Sequence, residues 1–304
     1  MRRILLAGFL FLMSMAWPTS SAQTDDISTV VQSQDAYIEN QTAETRANLF
    51  SALQAYNGAV AVETVQAYML LVANDATAGD AHSMRESAAA AAAHLEPVAN
   101  ILPKQYVETK FVAAVAYFND EQAQDAMLEM AHAEGLARQF RNEMDEQPEW
   151  AWDLMWRADA WGMTMQAYFE SARERYPADS EINAILDLYG ADPDKMNAAA
   201  MADTDEAGLP PCPGRMIQRP KMRYPSGGVR RGMFGAVILG LEFDAAGNVI
   251  NPRVLASVPI EEFDEKSLRV VGKWRFKPDD QSEVSVSCRI QRTNVVQPLV
   301  FSLD

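Results

Sequence analysis

The spacing of apolar residues changes once along this chain, from about 3.6 to 2, and that change confines it to a helical region followed by a sheet. Between residues 23 and 190 apolar side chains recur at helical intervals. Leu49, Leu53 and Tyr56 form one face, Val62, Val65, Met69 and Val72 another, and Val107, Phe111, Ala114 and Phe118 a third. From Ala236 the pattern alternates, with Val237, Leu239, Leu241 and Phe243 on one side of a strand, so that one side of a sheet is expected to be buried. Residues 191–221, rich in Asp, Ala, Gly and Pro, read as a hinge that is extended through Leu209-Pro210-Pro211-Cys212-Pro213-Gly214. The expectation is an α+β multidomain chain: a signal peptide at 1–22, an α-helical domain at 23–190, a linker at 191–221 and a small antiparallel domain at 222–304.

The first segment carries Arg2 and Arg3, an apolar stretch from Ile4 to Trp17, and the small residues Ser20-Ser21-Ala22, the layout of a secretory signal cut after Ala22. At about fourteen residues the apolar stretch is shorter than the roughly 20 a membrane-spanning helix needs. Retention as an uncleaved anchor is the alternative. The mature chain is therefore expected in the periplasm, associated with membranes through partners or through that anchor.

Charge is divided unevenly. The chain has 26 Lys and Arg against 42 Asp and Glu, a net of −16. Residues 23–210 hold 10 basic and 32 acidic side chains, a net of −22, and residues 211–304 hold 14 and 10, a net of +4. Nucleic acid is an unfavourable partner for such an acidic body, whereas the basic tail suits an acidic peptide. Cys212 and Cys288 are the 2 cysteines. In an oxidising compartment they are expected to pair, closing a loop worth about 4 kcal/mol in the chain-entropy treatment. Two buried thiols, or a bond between two chains in a homodimer, are the alternatives.

Helix breaks at Asn57-Gly58, Thr77 to Asp80, Pro97, Pro103, Asn119-Asp120 and Gln147-Pro148 divide the body into hairpins that start near 61 and 80, 104 and 121, and 148 and 179. Tyr117-Phe118-Asn119-Asp120, followed by Ala123, Ala126 and Ala131, resembles the turn and second helix of a tetratricopeptide repeat. The hairpin period, roughly 43 residues, exceeds the roughly 34 of that repeat, so irregular hairpins stacked as a short solenoid are expected, with a bundle as the alternative. Six alanines from Ala88 to Ala93 suit close helix packing. Trp150, Trp152, Met155, Trp156, Trp161, Met163 and Met165 read as packing residues, not as a soft-metal groove. His82, His94 and His132 lack ligand spacing and read as surface or capping residues. With no Gly-rich phosphate loop, metal-ligand cluster or Gly-x-Ser-x-Gly motif, the chain presents no catalytic, cofactor or metal site and is not expected to be an enzyme.

In the last domain, Asp244 to Asn248 is a hairpin turn with Gly247 at positive φ. Phe263, Ser267, Leu268, Val271 and Trp274 mark a short amphipathic helix. Val284, Val286, Cys288 and Ile290 share even parity while Val295, Leu299, Phe301 and Leu303 share odd parity, which requires a bulge or turn between Ile290 and Val295. Pro298 lacks an amide donor and places its strand at an edge or bulge. The result is a three-stranded antiparallel sheet with one covering helix and the last strand at an edge, where a partner strand can pair.

Tyr224-Pro225, the Gly-rich start of the first strand, Phe263-Asp264, Trp274-Arg275-Phe276-Lys277-Pro278 and the closing Pro298-x-x-Phe301-x-Leu303 occur in the order of the TonB family's C-terminal domain. Residues 222–304 resemble that domain, the part of an energy transducer that takes up a receptor segment by strand addition. The resemblance implies an outer-membrane TonB-dependent receptor peptide, or another envelope protein, as partner. Matched by position, it puts the pairing edge on Glu283, Val284, Ser285, Val286, Ser287, Arg289, Ile290, Gln291 and Arg292, with Arg289 and Arg292 meeting acidic receptor residues. Tyr224, Trp274 and Phe276 belong to the core. The linker is shorter than the family's proline-rich span and no histidine precedes His82, so partner binding is expected without proton-driven transduction by the family's route. A helical-repeat scaffold whose small domain docks or dimerises is the alternative.

Overall fold

The computed structural model describes residues 25–143, 148–177, 180–183, 186, 214–278 and 292–303. Two compact units divide after Ala151.

The first unit contains α1 (Asp25–Glu39), α2 (Ala43–Ala55), α3 (Val62–Ala78), α4 (Ala81–Leu95), α5 (Pro103–Asn119) and α6 (Ala123–Glu143). Short connections make consecutive helices antiparallel neighbours, and the pairs α1–α2, α3–α4, α4–α5 and α5–α6 all pack together. Local chemistry sets the boundaries. The Thr42 hydroxyl accepts the Thr45 amide at the start of α2, the Asp80 carboxylate accepts the Ser83 amide at the start of α4, and Pro103 opens α5. Gly79 ends α3 at φ 68, a left-handed conformation that costs glycine little.

α5 is the central helix. Phe111, Val112, Ala113, Ala114, Val115 and Ala116 are all buried, so it is apolar around its circumference. On α4, Ala88, Ala91 and Ala92 are buried, and their small side chains let it lie close to both α3 and α5. The buried face of α3 differs from the expected one. Thr64, Ala67, Tyr68, Leu71, Val72 and Asp75 point inward, while Val62, Val65 and Met69 are only half-buried. Two polar contacts turn the helix that way. Asp75 takes a bidentate bond from Arg46 of α2, at 2.7 Å from Nε and 2.9 Å from Nη2, and Thr64 shares a 2.8 Å hydrogen bond with His94 of α4. Far from being a surface residue, His94 is half-buried against the rings of Tyr56 and Tyr68.

The second unit holds most of α7 (Glu149–Ser171), then β1 (Gly214–Gln218), α8 (Ser226–Arg231), β2 (Gly235–Phe243), β3 (Val249–Val258), α9 (Asp264–Val271), β4 (Arg275–Pro278) and β5 (Arg292–Phe301). The antiparallel sheet has the order β3-β2-β5. α9 covers one face through Phe263, Ser267 and Val271, all fully buried. Val237, Leu239, Leu241, Phe243, Trp274, Phe276 and Phe301 complete that core. Leu241 pairs with Val295 and Phe243 with Arg292, so two residues of β2 span three of β5 and the bulge falls inside the expected interval.

Burial is not confined to one side of this sheet. Ala236 and Ile238, on the face opposite Val237 and Leu239, are also fully buried. The C-terminal half of α7 lies on this second face: Tyr168 meets Phe234 edge-on at 5.5 Å, and Met163 and Ala167 share a hollow with Val300. On α7, Met155 and Met165 are fully buried and Trp156 and Trp161 nearly so, as packing residues should be. The hinge stretch also ends in regular structure, because Gly214–Gln218 pairs with Arg275–Pro278 as a second, two-stranded sheet.

Candidate functional site

Among the described residues, β3 and β5 each have one unpaired side in the three-stranded sheet, and an unpaired side offers amides and carbonyls to a further strand. β3 is blunted. Pro252 supplies no donor, Asn251 sits at φ 47, and the pairing with β2 shifts register twice. Asn251 and Arg253 also reach Glu242 on β2, each at 3.3 Å. β5 runs for ten residues with one register shift against β2 and a single proline, Pro298, opposite Ile238. Among the described residues, the outer side of β5 is the edge best able to accept a partner.

Aromatic packing fixes the end of that strand. Phe301 stacks on Phe263 at 4.2 Å, and Tyr224 stands edge-on to both at 5.7 Å. The Tyr224 hydroxyl donates to the Met233 carbonyl, and burial pushes the phenol above its ordinary pKa. Gly235 allows this closeness, since a Cβ there would meet both the Phe263 ring and the Val258 carbonyl at 2.3 Å. At the opposite end of β2, Asp244 accepts the Asn248 amide at 2.8 Å and the Ala246 amide at 2.9 Å. These bonds, chiefly those from Asn248, hold its carboxyl below the usual range. Asp264 behaves oppositely. Burial raises its pKa, although Ser257 donates to it at 3.2 Å.

Beside β5 lies a hollow of about 320 Å³ lined by Met163, Gln166, Ala167, Glu170, Ser171, Val300, Ser302 and Leu303. Periodicity alone did not point to it, because α7 and β5 are far apart in sequence. One signal was present: Ala236-Val237-Ile238-Leu239 is an unbroken apolar run, the mark of a strand covered on both faces.

Of the residues assigned to the pairing edge, Glu283, Val284, Ser285, Val286, Ser287, Arg289, Ile290 and Gln291 lie outside the described residues, as do Cys212 and Cys288. Arg292 opens β5, its backbone opposite Phe243. Trp274 and Phe276 are core residues and Tyr224 packs against the same core. Among the described residues there is no group of three or more His, Cys, Asp or Glu placed to hold a metal ion, and no helix long and apolar enough to cross a membrane.

Residues 220–296 match the family model described as the Gram-negative bacterial TonB protein C-terminal. Among curated proteins, Protein TonB of Vibrio cholerae serotype O1 (strain ATCC 39315 / El Tor Inaba N16961) is 31% identical over 112 residues, 37% of this chain and 44% of that protein. The match spans less than half of that relative's length.

Proposed function

We propose, from a C-terminal region of the TonB type, that this chain is a periplasmic TonB-like protein that binds a short peptide of an outer-membrane receptor, or of another envelope protein, by adding it as a strand to β5. The observation that carries this reading is the position of β5, whose first five residues lie in the matched region 220–296, at an edge of the β3-β2-β5 sheet that is unpaired among the described residues. Main-chain hydrogen bonds along such an edge supply affinity, and side chains alternating above and below the sheet supply selectivity. By the resemblance, the preceding stretch from Glu283 to Gln291 belongs to the same contact, where Arg289 and Arg292 would meet acidic residues of the peptide. A bond between Cys212 and Cys288 would tie the linker beside that edge and restrict access to it. The chain has no catalytic role in this reading.

Peptides from receptor plug domains, titrated against the full chain by calorimetry, test it. Binding in the micromolar range is expected. Methylating alternate backbone nitrogens of the peptide in one register should abolish binding, while methylating the other register should leave it, because an added strand donates along one side only. Equal effects of both registers would overturn strand addition.

A second reading makes the helical region the main docking surface of an envelope scaffold, with the small domain serving for docking or dimerisation. It is favoured by the large exposed side chains Ile38, Ile101 and Leu128 on α1–α6 and their connections. Deleting residues 25–143 distinguishes the two, since peptide binding survives that deletion only if β5 carries it.

A further inference from the structure

The β1/β4 ribbon has an inner and an outer face. Met216 pairs with Phe276, and both pack into the domain core. Alternation along the strands then turns Arg215, Arg275 and Lys277 to the opposite side, while the register shift between Met216 and Gln218 leaves Ile217 as a bulged residue. There, Arg215 stands directly across from Lys277, both exposed. Like charges directly opposite on a sheet destabilise it, so this ribbon is held together against its own electrostatics. No described carboxylate relieves the repulsion: among the described residues from Gly214 onward the ion pairs go to Arg231, Arg253 and Arg269. Ile217, at the bulge of β1, is about half exposed at 48%. At the ribbon's end Arg219 caps the Trp274 ring from 4.7 Å, a cation–π contact that fixes the strand end to the core.

We propose that this outer face docks onto the headgroups of an anionic lipid bilayer. Three observations select that occupant. The face is a two-stranded surface without a described pocket, so it suits a plane of charges better than a folded ligand. Among the described residues its cations have no carboxylate partner, and an anionic layer complements them. Its bulge carries an exposed aliphatic side chain, Ile217, which at a headgroup boundary enters the apolar side while the neighbouring Lys and Arg stay among phosphates. The site is distinct from the β5 edge, and its occupancy does not depend on peptide binding.

The full chain carries a net charge of −16, so indiscriminate attraction to anionic vesicles is not expected and binding would report a local patch. The experiment is co-sedimentation with phosphatidylcholine vesicles, with and without phosphatidylglycerol, at low and high salt. Binding should require phosphatidylglycerol and fall with salt. The double variant Arg215→Gln/Lys277→Gln should lower partitioning by about thirty-fold, the effect of losing two surface cations, and should melt no lower than the parent because a repulsive pair is gone. Ile217→Ser should weaken binding several-fold at unchanged charge, and Arg253→Gln, at a distant paired arginine, should leave it intact. Equal binding to both vesicle types, or an unaffected double variant, would overturn the proposal. So would tighter binding to polyglutamate than to vesicles at the same salt, which would assign the face to an acidic peptide.

Discussion

Phe263 and Phe301 stack with ring centroids 4.2 Å apart and planes 12° from parallel, joining the residue before α9 to the last residue of β5. The register of β5 against β2 is thereby tied to the helix that covers the sheet, and the proposed peptide edge inherits its rigidity from two side chains that never reach it. Phe301→Ala removes the stack and the Tyr224 edge contact together. The variant should lose about 3–5 kcal/mol of unfolding free energy, read from urea denaturation followed by tryptophan fluorescence. Its peptide affinity should fall as β5 loosens. A loss below 1 kcal/mol would mean that this cluster does not anchor the strand.

Gly247 has φ 78, and a Cβ placed on it would stand 1.9 Å from the Phe276 carbonyl oxygen. The Phe276 amide also donates to the Gly247 carbonyl at 2.7 Å, so the β2–β3 turn and β4 are clasped backbone to backbone. Gly247→Ala meets both a left-handed conformation and a clash with a main chain that cannot swing away. It should destabilise by roughly 2 kcal/mol or more. Gly135, whose added Cβ meets nothing within 4 Å, lies inside α6, and Gly135→Ala should stabilise by up to about 1 kcal/mol. Thermal unfolding of the two variants checks the contrast in sign.

In the helical unit, Asp75 is nearly fully buried and accepts from Arg46 twice and from the Ser87 hydroxyl at 2.8 Å. The carboxylate holds α2, α3 and α4 at one point, and its hydrogen bond is the main reason the Arg46 guanidinium is raised in pKa. Asp75→Ala leaves Arg46 without its counter-charge and should cost about 3–5 kcal/mol. The double change Asp75→Leu/Arg46→Met should recover much of that loss. Chemical denaturation of the single and double variants decides it.

His94 supplies a pH dependence. Burial lowers its pKa below 6.5, so the folded state resists a proton that the unfolded chain accepts at the ordinary value. As pH falls from 6.5 toward the depressed folded value, the unfolded state binds more protons and stability drops. Above 6.5 the contribution is fully present. The urea midpoint should therefore decline between pH 7 and pH 5 by more in the parent than in His94→Gln, which keeps a polar group for Thr64. Parallel declines would show that other groups dominate this range.

Much of the small domain is legible in its residues. The turn at Asp244 to Asn248, the helix from Asp264, and the bulge required by the parity change before Val295 all depend on neighbours a few positions apart. The helix starts near 61, 80, 104 and 121 were readable for the same reason, since caps and prolines act locally. The face of α3 was not. Counting Val62, Val65 and Met69 as core is reasonable hydropathy, yet Arg46 and His94, brought in from other helices, place Asp75 and Thr64 inside.

By itself, the sequence determined the two periods, the boundaries that polar caps and glycines impose, the acidic and basic division of charge, and the order of motifs that marks the TonB-type domain. Tertiary structure alone decided that β1 closes onto β4 with Arg215 facing Lys277, and that α7 lies over the second face of the sheet. Among the described residues, it also left the outer side of β5 unpaired. Each of these depends on residues tens of positions apart meeting in space. No local preference encodes such meetings, because the burial that rewards them exists only once the chain has closed.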